Sequence, residues 1–167
     1  MFFDDIKTLY DLGAPATHSM KVDQSYSDYR KGLRARLDSL AYLPLQDLKV
    51  IDLDTAKAFQ PAKDGSAMSI QLEVPITDDR QSVHIRITGT LTDPAYKVEK
   101  GSLVFDRTVH GLRNTILLPA GWEVAGVSQS GTIGRYQGRA FVSLINLNSE
   151  NQYRVVVHAR QGSESTR

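Results

Sequence analysis

The chain of 167 residues lacks cysteine, has a single tryptophan and contains only 8% aromatic residues. The lack of cysteine excludes disulfide bonds, zinc sites with thiolate ligands and a cysteine nucleophile. No apolar run approaches the length of a membrane-spanning helix, so we expect no membrane-spanning segment. The first residues, MFFDDIKTLYDLG, carry acids where a signal peptide needs a basic region.

The chain also lacks a strong charge of either sign. Its net charge is +1, with acidic residues in excess before residue 84 and basic residues in excess after it. A nucleic-acid binder needs a concentrated basic surface, which this mild polarity does not supply. We therefore predict that nucleic acid is not a partner.

Alternation of apolar and polar residues is the strongest pattern present. In SVHIRITGTLT, Val83, Ile85 and Ile87 alternate with His84 and Arg86, which is typical of a half-buried strand. The same pattern predicts strands over residues 18–26, 48–54, 68–74, 102–108, 114–118, 122–128, 139–147 and 152–159. The intervening segments are short and rich in Gly, Pro, Asn and Ser. These features predict an all-β fold, an antiparallel β-sandwich.

The N-terminal region is less regular. Residues 29–43 have leucine spacing that fits one face of a helix, but also alternate positions that fit a strand. We predict a short helical insertion here, with an extended segment as the alternative. The expected organisation is an N-terminal arm (1–16), one β-sandwich domain (17–160) and a polar tail (161–167).

The stretch FDRTVHGLRNT contains the densest group of side chains in the sequence that could take part in catalysis. On a strand, alternation places Asp106 and Arg107 on opposite faces, so they cannot share a site directly. His110 and Arg113 then flank the connection to the next strand. These four residues are the candidate catalytic group, and His110 is read either as a base or ligand or as an ordinary loop histidine.

The sequence contains no motif for a metal or a cofactor. The four histidines, His18, His84, His110 and His158, show no metal-ligand spacing, although the fold could still bring them together. There is no nucleophile elbow and no glycine-rich phosphate loop. We therefore predict neither a bound metal nor a cofactor.

Aromatic and basic residues near two turns are the candidate binding group. Trp122 opens a strand and is either a core residue or a platform for a sugar ring. Tyr136 lies in the hairpin GRYQGR between Arg135 and Arg139, where a hairpin tip would expose it. An exposed aromatic beside two arginines is typical of a contact surface for a protein or a glycan.

PATHSMKV, DLDT and LPAGWEV resemble the β-sandwich modules of bacterial envelope and secreted proteins, including modules that precede metallopeptidase domains. The resemblance implies a non-catalytic Ig-like module and a trimmed piece of an exported protein. It assigns no catalytic residue, because the HExxH motif of metallopeptidase domains is missing here.

We therefore predict a non-catalytic binding or structural module with a protein or glycan partner. A periplasmic or extracellular location is favoured over a cytoplasmic one, and the sequence does not define the oligomeric state. Two alternatives stay open. One is a carbohydrate-binding accessory domain that uses the same aromatic residues, and the other is a hydrolase or lyase with a non-local site around His110.

Overall fold

The computed structural model of the chain describes residues 4–28, 34–41, 44–64, 67–76, 82–147 and 152–162. These residues form β-strands joined by turns, with one 3-10 turn at Pro15–Thr17. They contain no helix that is long and apolar enough to span a membrane. The all-β prediction is therefore confirmed.

The strands are numbered in chain order. They are β1 (Asp4–Leu12), β2 (Ser19–Asp28), β3 (Arg34–Ala41), β4 (Gln46–Asp52), β5 (Ala58–Phe59), β6 (Ala62–Asp64), β7 (Ala67–Ile76), β8 (Val83–Thr92), β9 (Tyr96–Glu99), β10 (Ser102–His110), β11 (Arg113–Leu117), β12 (Trp122–Val127), β13 (Thr132–Tyr136), β14 (Arg139–Ile145) and β15 (Gln152–Gln161).

The largest layer is an eight-stranded sheet in the order β13-β14-β11-β1-β2-β8-β4-β5. Its strands pair in antiparallel fashion except for β1 and β11, which run parallel with Lys7 opposite Arg113. The prediction of a purely antiparallel sandwich is therefore wrong at this pair. Short turns indicate antiparallel pairing only between strands that follow each other along the chain, and β1 and β11 are far apart in sequence.

Two smaller sheets complete the sandwich. One has the order β12-β15-β10-β9 and the other the order β3-β7-β6. Buried residues of the three sheets form one hydrophobic cluster, with Tyr10 from the large sheet, Phe105 from the four-stranded sheet and Ile70 from the three-stranded sheet. The strands exceed the seven to nine or so of an immunoglobulin domain, so the fold is sandwich-like in a broader sense.

The N-terminal region departs most from the sequence expectation. Residues 4–12 were assigned to an arm, yet they form β1, whose alternate residues Ile6, Tyr10 and Leu12 are buried in the core. Residues 34–41 form β3, because their backbone pairs with β7, so the extended alternative is correct here and the helix is wrong. The other residues of the 29–43 segment lie outside the described part of the chain.

Gly111 connects β10 of the four-stranded sheet to β11 of the eight-stranded sheet. Its φ of +85° is a left-handed conformation that side chains with a Cβ rarely adopt. A Cβ added at this position would also lie 2.5 Å from the Cβ of Ile6. The crossing between the sheets therefore requires glycine for two separate reasons.

Gly111→Ala should lower the free energy of unfolding by about 2–4 kcal/mol, the sum of left-handed backbone strain and overpacking against Ile6. Gly101→Ala is the matched control, because Gly101 has a φ of +79° and no atom within 4 Å of an added Cβ. Urea denaturation should show a smaller loss for the control. Equal losses for the two variants would show that the contact with Ile6 contributes nothing.

Candidate functional site

The residues of the FDRTVHGLRNT stretch are separated by the pleat, as predicted. Asp106 lies on the outer face of the four-stranded sheet, where Arg154 Nε and Nη2 donate hydrogen bonds of 2.8 and 2.6 Å to its two carboxylate oxygens. These hydrogen bonds, with the guanidinium charge, lower the pKa of Asp106. Phe105 and Arg107 lie on the inner face. Asp106 and Arg107 are therefore not part of one site.

Arg107 enters the interior of the sandwich. Its Nη1 donates a hydrogen bond to Asp93, and the two side chains are only 18% and 17% exposed. Burial raises the pKa of the Tyr10 hydroxyl, an effect that hydrogen bonding and the positive charge of Arg107 partly oppose. Asp93 also accepts a hydrogen bond from the backbone N–H of Ala95 at 2.9 Å. The ion pair thus fixes the turn between β8 and β9.

Asn114 is fully buried and links the two sheets. Its Nδ2 donates hydrogen bonds to the carbonyl of His110 at 3.0 Å and to the hydroxyl of Tyr153 at 3.2 Å. Its Oδ1, like the Nε of Arg107, has no partner within the described residues. We call Tyr10, Asp93, Arg107, Asn114 and Tyr153 the interior polar cluster.

His110 is half-buried at the end of β10, and its backbone carbonyl is held by Asn114. Burial lowers the pKa of its imidazole, and the charge of Arg107 lowers it further. Arg113, the next candidate along the chain, is exposed and begins β11 on the outer face of the eight-stranded sheet. Among the described residues, no side-chain hydrogen bond links His110 or Arg113 to another polar side chain.

The four histidines have different surroundings. His18 Nδ1 lies 2.6 Å from the carbonyl of Tyr96, and His84 Nδ1 lies 2.8 Å from a carboxylate oxygen of Asp54. His158 is exposed on the four-stranded sheet. Within the described ranges, no group of three or more His, Cys, Asp or Glu side chains could hold a metal ion.

The candidate binding residues lie along one side of the sandwich. Trp122 is half-buried and packs against the core, so only part of its ring faces solvent. Tyr136 is 58% exposed at the end of β13. Arg135 Nη2 donates a hydrogen bond of 2.5 Å to Glu123 Oε1, which joins the edge strands β13 and β12 of two different sheets.

Arg139 has a structural role that the sequence did not indicate. Its Nη2 donates a hydrogen bond of 2.6 Å to Asp11 Oδ1, and its Nε donates one of 2.8 Å to the carbonyl of Leu118. Arg139 therefore ties β14 to β1 and to the end of β11, so its guanidinium is already bonded although Arg139 lies opposite Tyr136 in the hairpin. The hairpin offers Tyr136 as its exposed aromatic residue.

Sequence reasoning missed Asp93 and Asn114 as members of the interior polar cluster. Asn114 gave one usable signal, because in RNTILL it occupies the position that alternates with Ile116 and Leu118 and therefore faces the core. For Asp93 the sequence indicated only that the residue lies in a turn. Its role depends on Arg107, which lies beyond the whole of β9 in the chain.

The fold is similar to part of the M1 zinc metallopeptidase from Deinococcus radiodurans, with a TM-score of 0.58 and 11% identity over 92% of this chain and 42% of that chain. A two-domain M1 zinc metallopeptidase variant bound to L-tryptophan gives a TM-score of 0.55 and 13% identity over 94% of this chain and 43% of that chain. This chain thus spans less than half the length of these enzymes. No family model matches the sequence, and no curated protein matches it.

Asp93→Asn should lower the free energy of unfolding by about 2 kcal/mol or more, because it leaves the largely buried guanidinium of Arg107 without its charge partner. The matched control is Asp106→Asn, whose partner Arg154 is 70% exposed, so its loss should be clearly smaller. Urea denaturation at neutral pH measures both. Equal losses would mean that burial of the Arg107–Asp93 pair adds nothing.

The pKa shift of His110 predicts how stability depends on pH. Because the pKa is lower in the folded chain than in the unfolded chain, the unfolded state takes up the proton first as the pH falls below about 6.5. The free energy of unfolding should therefore decrease in this range, and His110→Gln should reduce the decrease. Denaturation curves between pH 8 and pH 5 test this, and identical pH profiles for the two proteins would contradict it.

Proposed function

We propose that this chain is a non-catalytic β-sandwich domain that supports a zinc peptidase domain, either in one polypeptide or in a complex. The extent of the structural similarity carries the proposal, since 94% of this chain matches 43% of an enzyme described as having two domains. The chain therefore has the size of one domain of that enzyme. Because it lacks HExxH, it corresponds to the domain without the zinc-binding motif.

The interactions of the candidate catalytic residues agree with a supporting role. Arg107 pairs with Asp93, Asp106 pairs with Arg154, and the carbonyl of His110 accepts a hydrogen bond from Asn114. Each of these contacts joins strands or fixes a turn. A catalytic group needs polar side chains that converge around a reacting atom, and these residues point to different parts of the sandwich.

The activity of the isolated chain tests the non-catalytic part of the proposal. The tripeptide Tyr-Ser-Ala is bound as a substrate by one of the structurally similar enzymes. With added zinc, the purified chain should release no amino acid from this peptide above the rate measured without protein. Circular dichroism of the same sample should show the folded chain. Zinc-dependent release that is lost in His110→Asn would overturn the proposal in favour of a hydrolase site around His110.

The supporting role itself needs a second experiment. An antibody raised against this chain is used to precipitate the protein from the cells that make it. Tryptic peptides of the precipitate should include the sequence of a zinc peptidase with an HExxH motif. A polypeptide of 18.5 kDa recovered without such a sequence would contradict the proposal. Blots of cell fractions with the same antibody test our further proposal of a periplasmic or extracellular location.

A further inference from the structure

The outer face of the eight-stranded sheet carries three adjoining concavities of about 390, 320 and 550 Å³. The first and second share Leu9 and Asp23 as lining residues. The second and third share Asp11, Lys21 and Thr90. We call this continuous depression the outer groove.

Two cations lie side by side at one end of the outer groove. Lys7 of β1 and Arg113 of β11 are directly opposite in the parallel pair, with their backbones about 4.8 Å apart. Arg113 is exposed and takes part in no ion pair or side-chain hydrogen bond with the parts of the chain that the structure describes. The guanidinium of Arg113 is therefore available to an anion.

Hydroxyl groups surround this pair of cations. Ser25 lies opposite Lys7 on the other side of β1, and Thr115 and Ser143 are opposite each other with hydroxyl oxygens 3.2 Å apart. All three residues line the same concavity as Lys7 and Arg113. A guanidinium, an ammonium group and neighbouring hydroxyls are the donors that bind carboxylate and phosphate oxygens.

The acidic residues of the outer groove are largely neutralised by their own partners. Arg86 donates hydrogen bonds of 2.9 and 2.5 Å to the two carboxylate oxygens of Asp23. Asp11 accepts its hydrogen bond of 2.6 Å from Arg139. The lining also contains the exposed Lys21 and Lys49, with Asp47 as the remaining carboxylate. The outer groove is therefore cationic in balance along its length.

We propose that the outer groove binds an acidic peptide segment in an extended conformation, with one carboxylate on the guanidinium of Arg113. The groove crosses six neighbouring strands, from β14 to β4, which is about 24 Å or the length of roughly seven extended residues. None of the described residues that line it is aromatic, so they offer a sugar ring no stacking platform. This inference is independent of the proposed function, because it uses none of the contacts invoked there.

Fluorescence anisotropy with labelled octaglutamate at low ionic strength tests the proposal on the whole chain. The wild-type chain should bind octaglutamate and should not bind octaglutamine. Arg113→Gln should weaken binding about tenfold or more, since it removes the bidentate donor. Arg160→Gln is the matched control, because Arg160 is an exposed arginine on β15 and its loss changes the net charge equally. This control should bind within about twofold of the wild type.

Thermal unfolding of both variants should match the wild type, because both side chains are exposed. Equal weakening by Arg113→Gln and Arg160→Gln, or no binding by the wild type, would overturn the proposal. Two competitors test the class of ligand. A sulfated heparin oligosaccharide that binds through Arg113 more tightly than octaglutamate would overturn the peptide assignment. Inorganic phosphate binding as tightly as octaglutamate would overturn the need for an extended chain.

Discussion

Strand β1 is the constraint on which the rest of the structure depends, because it pairs with β2 on one side and with β11 on the other. Without β1 the eight-stranded sheet would separate into β13-β14-β11 and β2-β8-β4-β5. The strand also supplies Tyr10, which packs on Phe105 of the opposite sheet with ring centroids 5.6 Å apart. Because most of the chain lies between β1 and β11, their pairing closes a long loop, and we expect folding to be slow for this reason.

The interior polar cluster explains why a chemically rich stretch of sequence has a structural role. A buried polar group is costly unless it is hydrogen-bonded, and the hydrogen bonds of Arg107 and Asn114 hold backbone segments in place. Arg107 holds the turn at Asp93, and Asn114 holds the carbonyl of His110 beside the crossing at Gly111. Asp106, which faces outward from β10, makes a separate ion pair with Arg154 of β15. The polar side chains of this stretch therefore connect neighbouring strands and turns.

The sequence predicted those elements whose signal is local. Alternation located β8 and β10 to within a few residues and placed Asp106 and Arg107 on opposite faces. It missed β1, because the inward position of Thr8 and the outward position of Leu9 obscure the period of two. It also missed β13, which was read as turn sequence around Gly134. The outer groove was not predictable at all, since Lys7 and Arg113 become neighbours only through the register of a long-range parallel pair.

The ion pair between Arg135 and Glu123 has a consequence for how copies of the chain behave towards each other. β13 is the outermost strand of the large sheet, and its unpaired backbone groups, together with Ile133 at 57% exposure, could template the addition of a foreign strand. Arg135 places a charge in this short strand, and Glu123 fastens it to the neighbouring sheet. Because the pair is exposed, salt screens it. We therefore expect rising ionic strength to weaken the protection that this ion pair gives to the edge of the sheet.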